Sequence, residues 1–209
     1  MSRSPAPSIG ATPVPARDKQ RAPHRILGID PGGHVAGWGL ICQTGNKLSL
    51  EECGTLRPGS RIEFPERLRR LHQAMGEVIE RLQPQAVAIE SVFFARHPKA
   101  ALQLGHVRGV LILAAAEREL PIFEYPPATV KKAVTGHGAA KKEQVRDMVN
   151  VLLGTRVEGA ADKSDALAIA ICHAHSGSLL ARLKKLDPGP KRRRTTKSVA
   201  RRSPVRKAK

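Results

Sequence analysis

Two short apolar runs in the chain each end on a carboxylate. Arg25–Asp30 closes on Asp30 after Ile29, and Gln85–Glu90 closes on Glu90 after Ile89. A charge at the end of an apolar strand is costly to bury unless it is paired, hydrogen-bonded or metal-bound. Further along, Asp162 and Asp165 stand three residues apart, which on a helix places them on one face, one turn apart. Four carboxylates brought together repel one another, and divalent cations resolve that repulsion, because hard ions such as Mg²⁺ prefer carboxylate oxygens. Two such ions roughly 3.5–4 Å apart form the arrangement used for in-line phosphodiester hydrolysis. Taken singly, the acids have plainer readings. Asp30 before Pro31-Gly32 is a turn former, and Asp162 suits the positive end of a helix. The order strand–Asp, strand–Glu, helix–Asp-x-x-Asp is what points to a metal-dependent site.

The elements that must position these residues follow from periodicity. Arg25–Asp30, Val35–Gln43 and Lys47–Thr55 read as three strands, the last two joined by a Gly45-Asn46 turn. Glu63–Leu82 has helical spacing, with Leu68, Leu71, Met75, Val78, Ile79 and Leu82 on one face. Gln85–Glu90 and Ile122–Tyr125 are further strands. His97–Leu120, Pro126–Val134, Lys141–Leu153 and Ala160–His175 read as helices. Three antiparallel strands followed by alternating strands and helices make an α/β fold with a mixed five-stranded sheet flanked by helices. Open sheets of this kind bind ligands at the carboxyl ends of their strands, where Asp30 and Glu90 fall.

Composition limits the partners. The 209 residues include 36 Lys+Arg and 18 Asp+Glu, a net charge of +18, which points to an anionic partner and to nucleic acid before membrane. Aromatic residues are only 3% of the chain, too few for a base-stacking single-strand binder. The charge is uneven: residues 1–25 carry +4, 181–209 carry +12, and the body between them only +2. Residues 1–24 and 181–209 therefore read as disordered tails, rich in Pro, Ala and basic residues, around one domain at 25–180. No apolar run reaches the ~20 residues of a membrane span. The scattered Cys42, Cys53 and Cys172 fit a reduced cytoplasmic protein.

The runs GIDPG (28–32), AIESVF (88–93), LGHVRGV (104–110), FEYPPATVKK (123–132) and DALAIAICH (165–173) resemble the RuvC crossover-junction endodeoxyribonucleases, in order, over roughly residues 25–176. The resemblance implies a ribonuclease-H-like fold and a homodimer. It implies a hydrolase that resolves four-way Holliday junction DNA by paired symmetric nicks in homologous recombination and repair. It also implies two Mg²⁺ per active site, with Mn²⁺ as a substitute, and a RuvA–RuvB branch-migration motor as partner. Asp30, Glu90, Asp162 and Asp165 take the catalytic, metal-holding positions. Phe93, with Phe94 beside it, takes that of the ring that stacks at the junction. Lys131 and Lys142 take those of two lysines near the scissile phosphate, each with a neighbour, Lys132 and Lys141, that blurs the register. The competing reading within the fold is a nuclease acting on RNA or another branched nucleic acid. An ATP-binding actin-like or sugar-kinase protein and a noncatalytic DNA-binding scaffold are the readings outside it. Cys172, His173 and His175 cluster near the end of the last helix, but they lack a fourth ligand and are not assigned a metal.

Overall fold

A computed structural model describes residues 22–59, 61–91 and 98–186. Five strands, β1 (His24–Asp30), β2 (Ala36–Thr44), β3 (Lys47–Leu56), β4 (Ala86–Glu90) and β5 (Ile122–Tyr125), form one sheet in the order β3-β2-β1-β4-β5. The pairs β3–β2 and β2–β1 are antiparallel, while β1–β4 and β4–β5 are parallel. Helices α1 (Phe64–Leu82) and α2 (Pro98–Ala116) follow β3 and β4; α3 (Pro127–Thr135), α4 (Lys142–Leu153) and α5 (Ala161–Leu186) follow β5.

Strand alternation decides which side of the sheet the acids meet. Leu27 and Ile29 of β1, with Val87 and Ile89 of β4, pack against α1 and α2 beside Leu71, Met75, Val107 and Leu111. Ile26 and Ala88 point the other way, into the core built by α3, α4 and α5 with Val149, Leu167 and Ile171. Successive side chains of a strand face opposite sides. Asp30 therefore shares the face of Ile26, and Glu90 shares the face of Ala88. Both lie on the α5 side, where Asp162 and Asp165 begin their helix.

The approach of α5 to the sheet needs residues without a Cβ. A Cβ on Gly28 would stand 2.0 Å from the Ala166 carbonyl oxygen and 2.9 Å from the Ala170 nitrogen, and one on Gly37 would stand 2.0 Å from the Asp162 carbonyl oxygen. The obstacle in each case is helix backbone, which cannot swing away. Gly28→Ala is expected to destabilise the protein by about 1–3 kcal/mol, the usual cost of overpacking, read as a lower urea midpoint. Gly33→Ala, with nothing within 4 Å of its Cβ position, should leave that midpoint unchanged.

Two helix ends differ from the sequence reading. α2 stops at Ala116, short of Leu120, because Glu119 turns back with φ 55°. α5 continues to Leu186, past the expected end at His175. Leu179, Leu180, Ala181 and Leu183, beyond that end, are residue types of high helix propensity.

Candidate active site

The carboxyl end of the sheet opens into a cavity of about 280 Å³. Asp30, Glu90 and Asp165 line it together with Lys131 and Lys142, while Val130, Val145, Ala168 and Ile169 supply apolar wall. Each polar group arrives by a different route. β1 and β4 end on Asp30 and Glu90, α5 presents Asp165 in its second turn, α3 carries Lys131, and α4 begins at Lys142. Asp162 does not line the cavity. It lies one turn before Asp165, with its backbone against Gly37, and its charge still acts on Asp30. Phe93 falls within 92–97, outside the described residues.

The electrostatics are those of crowded acids. Burial, then the charges of Glu90, Asp165 and Asp162, push the Asp30 carboxyl up to about 7. Burial and Asp165 raise Glu90 as well, and the charges of Lys142 and Lys131 partly offset that rise. Both acids therefore resist ionisation in this site, Asp30 because it is buried among three other carboxylates. Lys142 Nζ donates to Asp165 Oδ2 at 3.2 Å, and the Asp165 charge raises the lysine's pKa. Among the described residues no three His, Cys, Asp or Glu side chains are gathered closely enough to chelate an ion as they stand. The carboxylates converge without closing.

Lys142 runs against local preference, since a cation in the first turn of a helix opposes the helix dipole. The Gln144 side chain accepts from the Lys141 N–H at 2.9 Å and fixes the helix start, and Asp165 compensates the charge. Of the two adjacent lysine pairs, Lys131 and Lys142 line the cavity, while Lys132 and Lys141 do not.

The His173 group sits elsewhere. Tyr125 Oη lies 2.8 Å from His173 Nδ1, and His175 Nδ1 lies 3.1 Å from the Ala133 carbonyl oxygen. Burial and the nearby His24 push His173 down to about 4, and burial pushes the Cys172 thiol up to about 11. His173 and Cys172 are thus packed as neutral side chains, and among the described residues the cluster forms no ligand set. Sequence reasoning missed Arg108 of α2, whose Nε donates to the Glu90 carbonyl oxygen at 3.1 Å. The available signal was a lone cation inside the apolar run LGHVRGVLIL, since a largely buried arginine must have partners.

A mixed sheet in this order, with acids converging at the ends of its central strands, defines the ribonuclease-H-like resolvase class. The family model "Crossover junction endodeoxyribonuclease RuvC" matches residues 26–173. The chain belongs to the RuvC family. It is 44% identical to the crossover junction endodeoxyribonuclease RuvC of Geotalea uraniireducens over 163 residues, covering 78% of this chain and 95% of that protein. It is 45% identical to that of Xanthobacter autotrophicus over 160 residues, 77% and 95% of the two chains. Thermus thermophilus RuvC in complex with a Holliday junction substrate superposes with TM-score 0.70 at 35% identity, covering 75% of this chain and 96% of that one. The yeast mitochondrial resolvase Ydc2, at 17% identity and TM-score 0.61, covers 78% of this chain and 82% of its own and shares the fold.

Proposed function

We propose that the chain is a crossover junction endodeoxyribonuclease of the cytoplasm that resolves four-way DNA junctions by hydrolysing one phosphodiester in each of two opposed strands. The observation that carries this reading is the cavity that joins Asp30, Glu90 and Asp165 to Lys131 and Lys142 at the carboxyl end of the sheet.

The acids fit divalent cations. Asp30 is held up to about 7 by burial and by its acidic neighbours, and the Lys142 ammonium already leans on Asp165 as a stand-in cation. Asp30, Glu90 and Asp165, with Asp162 one turn away, would hold two Mg²⁺, or Mn²⁺ in their place. When bound, the ions supply an activated water and a stabilised leaving oxygen. Bound cations would favour the ionised form of Asp30 and would replace the Lys142 ammonium as the charge that Asp165 faces. Lys131 and Lys142 place point charges near the equatorial phosphate oxygens, where charge develops in the transition state. Val130, Val145 and Ile169 form the apolar wall beside them. Phe93 follows Glu90 by three residues and serves as the wedge at the junction centre, where stacking is already interrupted.

Two symmetric nicks require two related sites. α2 offers the surface for a homodimer: Leu102 and Leu113 are 66% and 49% exposed, and Gly105 and Gly109 between them have nothing within 4 Å of their Cβ positions. These residues recur at steps of three and four and form one outward apolar face. The basic tails add phosphate contacts without sequence preference, and a RuvA–RuvB motor moves the branch point. Incubation with Mg²⁺ and either a synthetic four-way junction or structured RNA tests the reading. Junction cutting with intact RNA is expected; RNA cutting with intact junction favours an RNA nuclease instead.

A further inference from the structure

The end of β4 has a backbone defect that a side chain repairs. Val87 donates to the Pro121 carbonyl and Ser91 to that of Tyr125, so the odd-numbered residues here bond toward β5. By the alternation of a parallel ladder, the even-numbered residues, Glu90 among them, bond toward β1. The β1–β4 register ends at Ile29–Ile89. The donor that would extend it to the Glu90 carbonyl belongs to residue 31, which is Pro31 and has no N–H. A buried carbonyl left unpaired is unfavourable.

Arg108 fills the gap. Its Nε donates to the Glu90 carbonyl oxygen at 3.1 Å. Its Nη2 makes an ion pair with Glu124 Oε2 of β5 without hydrogen-bond geometry. The side chain is only 19% exposed and reaches from α2 across the ends of β4 and β5. It lies in the run LGHVRGV of α2.

We propose that Arg108 is the positioning residue for Glu90: it supplies the ladder donor that Pro31 lacks, fixes the last peptide of β4, and so aims the Glu90 carboxylate into the acidic cavity. The inference rests on the reading of Glu90 as a metal-holding acid. Outer-shell partners of metal ligands act in this way, by restricting the orientation of the ligand.

The test measures Mn²⁺ binding directly, by the spin-resonance signal of the free ion, in the full chain without DNA. Junction cutting, metal-free junction binding and the thermal midpoint are followed in parallel. Arg108→Met is expected to weaken Mn²⁺ binding roughly tenfold or more, the usual scale for an outer-shell loss, with junction binding unchanged and cutting partly restored by excess Mg²⁺. Arg108→Lys, which keeps a donor on a flexible stem, should fall between wild type and Arg108→Met. Glu124→Gln leaves the Nε bond in place and should bind Mn²⁺ as wild type does. Wild-type Mn²⁺ affinity in Arg108→Met overturns the proposal. If that variant does not fold, Arg108→Lys against Glu124→Gln decides: weaker Mn²⁺ binding in the lysine variant supports the proposal and equal binding overturns it. Wild-type protein that neither binds Mn²⁺ nor cuts a junction overturns the assignment of Glu90, and the positioning role with it.

Discussion

Asp30→Asn is expected to abolish junction cutting while leaving junction binding intact. The substitution keeps the shape of the side chain and removes the charge that a cation needs. Disturbing even an outer-shell partner of a metal costs about 10–100-fold, so losing an acid at the centre of the cavity should slow cutting more than about a hundredfold. Binding should survive because it draws on basic groups: the lysines of the cavity, and tails that carry most of the net charge of +18. Single-turnover cutting of an end-labelled junction, beside a gel-shift titration without metal, separates the two effects. Near-normal cutting by Asp30→Asn would remove Asp30 from the chemistry.

Asp30's own contribution to the stability of the metal-free protein, read as the difference from Asp30→Asn, should fall as pH rises from about 4 to about 7. Asp30 has an ordinary value of 3.8 when unfolded and about 7 when folded, so between those values the folded state binds the extra proton. The Asp30 contribution then falls with rising pH, by on the order of 4 kcal/mol in all, and levels off above about 7; the opposite contribution of His173, held near 4 by burial, is common to wild type and variant and cancels in their difference. The loss reflects one buried carboxylate forced to ionise away from water and beside three others. Asp30→Asn has nothing to ionise, so the difference in urea stability between variant and wild type should grow in the variant's favour across that interval. Mg²⁺ should return stability to the wild type at pH 8, by about 2.7 kcal/mol at a hundredfold excess over its Kd. The variant should gain much less. A wild-type curve that rises from pH 4 to 7 relative to the variant, with no response to Mg²⁺, would mean that the acids are not crowded in solution.

These effects explain why parts of the site were legible in the sequence. Asp30 and Glu90 stand out because each ends a short apolar run, and a run that fixes a strand also fixes where its last side chain goes. The Asp162–Asp165 spacing reads as one helix face without any tertiary knowledge. Their convergence is less visible, because it depends on the strand order and on Gly28 and Gly37, whose missing side chains admit α5. The adjacent lysines could not be separated by spacing alone; the start of α4, fixed by Gln144, turns Lys142 inward. α2 carries apolar residues nearly all round, so its sequence does not say which face meets the sheet. The structure buries Val107 and Leu111 and leaves Leu102 and Leu113 outside. Arg108 was hidden for another reason: its partner is a backbone carbonyl 18 residues away, and no side-chain pattern announces that.

The most direct measurement is a synthetic four-way junction, incubated with the protein and Mg²⁺, with the cut positions mapped on all four strands. The account predicts nicks at symmetric positions on two opposed strands, none without a divalent cation and none with Asp30→Asn. Cuts on a single strand, cuts that persist in a metal chelator, or cutting of linear duplex at the same rate would contradict it.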